Sequence, residues 1–174
     1  ICRMGGKAWS TPRKEEDRPE FLCGLLGGKT TGAALCAIIK NGNIRPSDYE
    51  NMKNVPRPSH ADYPAFVKYG GANDRSGGGQ FSGRLTAPLC VAGAISEQIL
   101  ARKGINVAAH LSRAAGIDDT PFDPCDPDNG IFEKLKAKLF PTIDDTAGEE
   151  MIKKILEAKE SLDSVGGIVE CAVT

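Results

Sequence analysis

The sequence predicts an α+β fold, and three observations support this class. Two short apolar runs, EFLCGLL and AALCAIIK, are separated by a glycine-rich turn, which is typical of a β-hairpin. Longer segments at 86–104 and 146–162 have the composition of helices. Helices and strands do not alternate strictly along the chain, as they would in a parallel α/β sheet. The pattern therefore favours antiparallel strands with separate helices.

The composition is that of a soluble globular protein. The chain has 174 residues, of which 40% are apolar and 26% charged, and this length allows one domain, over 1–174, with a real core. The net charge of -1 gives no electrostatic footprint for nucleic acid or for an anionic membrane. No apolar run approaches the roughly 20 residues that span a bilayer, and ICRMGGKAW lacks the apolar stretch of a signal peptide. We therefore predict a cytoplasmic protein with no nucleic-acid or membrane partner.

The six cysteines are scattered along the chain without a CxxC motif or a Cys/His pair at metal-ligand spacing. Neither a zinc site nor a disulfide framework is indicated. Since free cysteine behaves as a small apolar residue, we predict reduced and mostly buried thiols, and no metal.

The first half of the chain predicts a hairpin followed by a long polar stretch. EFLCGLL and AALCAIIK are apolar runs joined by GGKTTG, which we interpret as a hairpin turn because a Walker loop would need an upstream glycine that is missing. The stretch 41–83 is polar and rich in turn residues. Loops of this length in compact domains are usually functional or disordered.

The second half alternates helical and extended patterns. A helix is predicted from Thr86, with Pro88 in its first turn and Gly104 as its stop, and its small and apolar residues indicate burial on most sides. INVAAHLS and SVGGIVECAVT predict strands, and DDTPFDPCDPDNG predicts a loop. FEKLKAKLF predicts a helical turn. TAGEEMIKKILEAKESL predicts an amphipathic helix whose early acidic and later basic residues suit the helix dipole.

The residues with chemical potential concentrate in 57–88. The run 77–79 is GGG, which lets the backbone approach a planar or anionic ligand and presents N–H donors, although a flexible turn would have the same composition. His60 is followed two residues later by Asp62, whose carboxylate can orient the imidazole for proton transfer, although a lone histidine is more often structural.

Arginines are spread through the same polar segments and the N-terminal one. Arg13, Arg57, Arg75 and Arg84 could together bind a polyanionic substrate bidentately. Isolated loop arginines are ordinarily solvated, so this interpretation depends on whether they converge.

Four segments together resemble a known family. These are STPRKEEDRPEFLCGLLGGKTTGAALCAIIKNGNIRPSDY, RPSHADYPAFVKYG, SGGGQFSGRLTAPLCVAGAI and DSVGGIVECAV. They are similar to signature blocks of chorismate synthase, in the family's order and at compatible spacing, and together they extend over nearly the whole chain.

The resemblance implies a fold and a reaction. The fold is a β-α-β sandwich of antiparallel sheets around helices, usually assembled as a homotetramer. The reaction is a phosphate-lyase step of the shikimate pathway to aromatic amino acids. It is the anti-1,4-elimination of phosphate from 5-enolpyruvylshikimate 3-phosphate (EPSP) to give chorismate. It requires reduced FMN without net redox change, and the resemblance also implies a link to NADP.

The resemblance also implies roles for individual residues. His60 resembles the histidine that protonates the reduced flavin. The other implied roles are substrate binding by Arg13, Arg57, Ser82 and Arg84, and cofactor binding by Gln80, Phe81, Ser82 and Arg3. Many members have Arg where Gln80 stands and Glu where Leu85 stands, so altered flavin contacts are expected. His110 matches no family position and is expected to be structural.

The family's first block, GESHG, carries a second catalytic histidine, and its C-terminal part carries further flavin-binding loops and a GRHD block. None of these is in the sequence. We therefore expect an internal, truncated piece that is inactive by itself, because half of a split site cannot position both reactants. The alternative is a non-catalytic flavin-binding or subunit-association module derived from the same fold. A generic anion-binding α+β domain is a third interpretation.

Overall fold

The computed structural model describes residues 7–10, 17–42, 55–74, 78–128 and 130–174. It contains α-helices and antiparallel sheets, which confirms the predicted α+β class. The chain divides into two compact units. Unit 1 is Ile1–Arg3 with Glu15–Gly93, and unit 2 is Met4–Lys14 with Ala94–Thr174. The single domain over 1–174 stays a prediction.

Unit 1 begins with the predicted hairpin. Strand β1 (Pro19–Cys23) pairs antiparallel with β4 (Cys36–Ile39). Between them, β2 (Leu25–Leu26) and β3 (Lys29–Thr30) form a second, shorter antiparallel pair. The inner pair places Gly27 and Gly28 at the tip, so the glycine-rich segment makes the turn, as predicted.

The polar stretch of unit 1 contains a helix that the sequence did not indicate. Helix α1 (Asp62–Lys68) has Asp62 in its first turn and Lys68 in its last, which suits the helix dipole. Ala65 is its buried residue. Because the helix has only seven residues and one buried position, its sequence shows no apolar periodicity. The sequence alone therefore predicts a loop for this segment. Two 3-10 turns follow, Gly79–Phe81 and Gly83–Leu85.

Helix α2 (Thr86–Ala101) begins at the predicted residue and ends three residues before Gly104. The prediction that it is buried on most sides is wrong, because no residue of α2 is buried. Leu89 is 71% exposed and Ile99 50% exposed. The helix is apolar in composition, but the described part of the chain covers it only partly: Cys90, Val91 and Ile95 are half-buried and the other side of the helix is exposed.

Unit 2 is built on a three-stranded antiparallel sheet in the order β6-β5-β7. The strands are β5 (Val107–Ala114), β6 (Ile117–Asp118) and β7 (Gly167–Val173), and β5 and β7 confirm the two predicted strands. The β5–β7 register pairs Ala108 with Ala172 and His110 with Glu170. Because side chains alternate along a strand, these four residues lie on one face of the sheet.

Helices α3 (Ile131–Ala137) and α4 (Asp145–Glu160) complete unit 2 and confirm the two remaining helical predictions. The Asp144 side chain caps α4 by accepting a hydrogen bond from the Thr146 N–H, at 2.8 Å. The hydrophobic core lies between the sheet and α3, and its buried members are Ala108, Phe122, Phe132 and Leu135. The core therefore covers the face of the sheet that carries His110.

The cysteines differ from the prediction in their burial. The five described cysteines are free, as predicted, but four are exposed and Cys90 is half-buried. Cys23, Cys36 and Cys171 lie on strands whose faces are largely uncovered. Among the described residues, no helix is both long enough and apolar enough to span a membrane.

Candidate functional site

An ion pair closes the loop 57–62, which carries His60. The Arg57 guanidinium donates to both carboxylate oxygens of Asp62, from Nε to Oδ2 at 2.7 Å and from Nη2 to Oδ1 at 2.8 Å. The Arg57 backbone N–H also donates to Oδ2, at 3.0 Å. These hydrogen bonds from Arg57 are the main reason that the pKa of Asp62 lies well below its usual range.

The loop presents His60 at the surface. Its backbone N–H donates to the Arg57 carbonyl at 3.4 Å, and Ser59 between them has a φ of +62°. The sequence suggested that Asp62 orients the imidazole, but that part of the prediction is wrong, because the carboxylate is bonded to Arg57 instead. His60 is exposed, so its ring can reach a ligand from solvent.

A pocket of about 470 Å³ lies beside the glycine run. This volume is in the range of small-molecule sites, about 300–1,000 Å³. We call it the glycine pocket, and it is lined by Tyr69, Ala72, Asn73, Asp74, Gly78, Gly79, Gln80 and Phe81. Gly79 has a φ of +51°, and a Cβ on Gly78 would stand 2.9 Å from the Ser82 Cβ. Gly78 is therefore required by its packing against Ser82, and Gly79 is favoured by its left-handed backbone conformation.

The chemistry of the glycine pocket suits a planar ligand with polar edges. Tyr69 and Phe81 supply aromatic surface, and Asn73 supplies a buried Oδ1 with no hydrogen-bond partner among the described residues. A buried acceptor without a partner is costly, so a ligand N–H or O–H that bonded to it would gain free energy. The pocket therefore suits a planar group with a hydrogen-bond donor at its edge.

The residues after the glycines form a short connection to α2. Ser82 accepts a hydrogen bond at its Oγ from the Arg84 N–H, at 3.2 Å, and so caps the second 3-10 turn. Thr86 then donates from its Oγ1 to the Gly83 carbonyl at 2.7 Å. Arg84 is half-buried. The turn thus fixes the backbone at Ser82 and Arg84 directly beside the pocket residues Gln80 and Phe81.

The sequence-predicted residues form two groups in unit 1. Arg57 and His60 precede α1, whereas Gln80, Phe81, Ser82 and Arg84 follow the glycines. The segment that connects the two groups includes helix α1 and Tyr69. The seven residues of α1 span about 10 Å. Arg3, Arg13 and Arg75 lie outside the described residues.

The sequence did not single out three residues that line the pocket, Tyr69, Asn73 and Asp74. Tyr69 lies within the block RPSHADYPAFVKYG, but nothing in its type or spacing marked it. Asn73 could be identified only from its buried oxygen without a hydrogen-bond partner, a property that depends on the fold and not on the sequence pattern. Asp74 adds a negative charge to the wall of the pocket.

The second histidine lies in unit 2 and has a different environment. His110 is 1% exposed, and its Nδ1 lies 2.7 Å from Asp119 Oδ2 while its Nε2 lies 2.8 Å from Glu170 Oε2. Both ring nitrogens therefore have a carboxylate within hydrogen-bond distance. Asp119 also accepts hydrogen bonds from the N–H groups of Ile143 and Asp144. This arrangement links strands β5 and β7 to the start of α4, which agrees with the structural role that was expected.

A metal centre is not indicated by the described residues. No group of three or more His, Cys, Asp or Glu side chains in 7–10, 17–42, 55–74, 78–128 and 130–174 is placed to hold a metal ion.

Comparison with known proteins identifies the family. The model of the chorismate synthase family matches residues 2–174. Chorismate synthase of Lancefieldella parvula is 40% identical over 184 residues, covering 99% of this chain and 48% of that protein. The enzyme of Thermococcus kodakarensis is 39% identical over 176 residues, covering 97% and 45%. That of Dehalococcoides mccartyi is 41% identical over 169 residues, covering 97% and 45%.

A solved structure supports the fold. A crystal structure of chorismate synthase superposes with a TM-score of 0.66 at 23% identity, over 89% of this chain and 43% of that one. The chain spans about half the length of the curated relatives it matches, 48% and 45% in the first two.

Proposed function

Because the chain belongs to the chorismate synthase family, we propose that the full protein that carries it is a phosphate lyase that converts EPSP to chorismate with reduced FMN. The observation that carries this proposal is the family match over residues 2–174. The location in the cytoplasm, the homotetramer and the link to NADP are parts of the same proposal.

The glycine pocket is the proposed place for the flavin. Gln80 and Phe81 would contact it, the backbone at Gly78 and Gly79 would pack closely against it, and Asn73 would accept a hydrogen bond from its edge. Two observations support this assignment, the unpartnered Asn73 oxygen and the pocket wall at Gly78 and Gly79, which has no side chains. When bound, reduced FMN would supply electron density to the elimination and recover it.

The protein's own side chains would supply the proton and the substrate contacts. The exposed His60 imidazole would hold a proton for the flavin, since imidazole is the side chain that most often serves as a general acid or base in proteins. Arg57, Ser82 and Arg84 would bind the anionic substrate, because EPSP carries a phosphate and two carboxylates. Arg3 and Arg13 are proposed for the same anionic surroundings.

The 174-residue chain alone is proposed to be inactive. It spans 48% of the Lancefieldella parvula enzyme and 45% of the Thermococcus kodakarensis enzyme. Positioning both reactants contributes a large part of a catalytic rate, so a partial set of contacts should lose nearly all of it. The chain would then act as a flavin-binding or subunit-association module.

One anaerobic assay tests these proposals. Photoreduced FMN and EPSP are added to the full-length protein and, separately, to the 174-residue chain, and chorismate and phosphate are measured together with flavin absorbance. We expect chorismate from the full-length protein alone, with a flavin spectral change in both samples. Absence of chorismate from the folded full-length protein would reject the lyase proposal, and turnover by the short chain would reject its inactivity.

A further inference from the structure

The Arg57–Asp62 pair is built more strongly than a surface ion pair. Three hydrogen bonds join the two residues, and one of them starts from the Arg57 backbone. The side chains are only 21% and 28% exposed. A bidentate guanidinium–carboxylate contact fixes orientation as well as distance. The pair therefore holds both the backbone and the side chain of Arg57 against the first turn of α1.

The pair encloses a strained segment. Ser59 has a φ of +62°, in the left-handed region that residues other than glycine occupy sparsely. The one backbone hydrogen bond within the loop that the structure shows, from the His60 N–H to the Arg57 carbonyl, is long at 3.4 Å. Such a conformation persists only when the surroundings impose it, and the Arg57–Asp62 pair connects the two ends of the loop.

His60 depends on the loop for its position. Among the described residues, its ring makes no hydrogen bond that would orient it directly, in contrast to the ring of His110. The location of the His60 imidazole is therefore set by the backbone between Arg57 and Asp62.

The carboxylate charge is essential to the pair. The hydrogen bonds from Arg57 lower the pKa of Asp62, so the Asp62 carboxylate is ionised at neutral pH. An asparagine has one acceptor oxygen and an NH₂ group, and its NH₂ would face an Arg57 donor. Replacement by asparagine thus breaks the pair while the size of the side chain is kept.

We infer that Asp62 is a positioning residue: by its bidentate contact with Arg57 it holds the loop 57–62 in the conformation that places His60 for proton transfer. The inference rests on the proposed function. Asp62 acts through Arg57 and His60 and has no contact with the reacting atoms assigned to it.

The chain offers a matched control for the test. Arg113 and Asp118 are also five residues apart and bidentate, with Nε–Oδ1 at 2.8 Å and Nη2–Oδ2 at 3.2 Å. They lie in unit 2, and their side chains are 48% and 67% exposed. Asp118→Asn therefore removes the same kind of pair away from the loop.

Asp62→Asn and Asp118→Asn are compared in the full-length protein by steady-state kinetics. We expect Asp62→Asn to lower kcat by roughly 10²-fold, the size of effect that a misplacement of about 1 Å produces, with a raised KM for EPSP. Asp118→Asn should stay within about twofold, because exposed pairs contribute little. Asp62→Glu, which keeps the charge, should recover part of kcat. A kcat within about twofold of the unsubstituted protein in folded Asp62→Asn would overturn the inference.

A second measurement is independent of activity. The ring signals of His60 are recorded by long-range ¹H–¹⁵N NMR in the 174-residue chain, and Asp62→Asn should shift them whereas Asp118→Asn should not. If Asp62→Asn does not fold, Arg57→Lys is used in its place, because lysine cannot make the bidentate contact. The same shift of the His60 signals is expected. Unshifted His60 signals would overturn the positioning role even if the lyase activity is present. Shifted signals without chorismate from the full-length protein would reject the proposed function alone.

Discussion

The two histidines of this chain illustrate opposite ways of using an imidazole. His60 lies exposed on a loop whose two ends are joined by the Arg57–Asp62 ion pair. His110 lies 1% exposed on β5, with a carboxylate at each ring nitrogen. A ring whose two nitrogens are both bonded has no site left for proton exchange with a ligand. The comparison therefore separates a histidine whose ring is open to a ligand from one whose two ring nitrogens are bonded within the fold.

The largest expected effect concerns His60. His60→Gln in the full-length protein should lower kcat by about 10²- to 10⁴-fold, the range that general acid–base groups contribute. The free energy of unfolding should hardly change, because the ring is exposed and makes no hydrogen bond within the described residues. Activity and urea denaturation are measured on the same preparation. A loss of stability without a change in kcat would assign His60 to structure and remove the contrast with His110.

The next effect concerns His110, where we expect a change in the free energy of unfolding and not, as for His60, mainly in kcat. His110→Phe keeps an aromatic ring, although a larger one, and leaves two carboxylates facing an apolar group. Leaving a buried polar group without its hydrogen-bond partner costs about 1–3 kcal/mol, and more where the group is charged, and the Asp119 side chain is fully buried. We expect a decrease of that order in the free energy of unfolding of the 174-residue chain, measured by urea denaturation, with His60→Gln as the control. A decrease below about 1 kcal/mol would mean that the carboxylates are hydrated or neutral without the imidazole.

The same contrast shows what the sequence could predict. The strands and most helices follow from apolar runs, turns and caps, because these are local signals. The neighbourhood of His60 was visible in the motif RPSHADY, although the partner of Asp62 was predicted wrongly: spacing alone could not decide between the imidazole and the guanidinium of Arg57. The partners of His110 could not be predicted, because Glu170 is 60 residues away and reaches it only through the β5–β7 register.

Burial was the least predictable property. The sequence indicated that α2 would be buried on most sides and that the cysteines would be mostly buried, and the structure shows neither. Apolar composition measures the tendency of a segment to leave water, whereas burial also requires a partner surface. Leu89 is an example: as an apolar residue it is expected to be buried, but it is 71% exposed because it lacks a partner surface.

The smallest effect is a pH dependence that distinguishes the two regions further. The hydrogen bond from His110 is the main cause of a lowered pKa at Glu170, whose ordinary value is 4.5. A group whose pKa is lower in the folded state stabilises the protein above its unfolded value, and this contribution is lost as the pH falls. Amide hydrogen exchange in β7 should therefore accelerate, relative to the intrinsic rate, between about pH 5 and pH 3. Glu170 is 35% exposed, so solvent screening keeps the change modest.

Glu170→Gln should remove this pH dependence in β7, because a glutamine does not titrate. Glu157 provides the control, since its pKa is also lowered, through the hydrogen bond from Lys154, but its pair lies on the exposed face of α4. Glu157→Gln should leave exchange in β7 unchanged. If β7 opens with acid equally in the Glu170→Gln variant, the carboxylate contact does not hold the strand, and the link between His110 and β7 has to come from the backbone register alone.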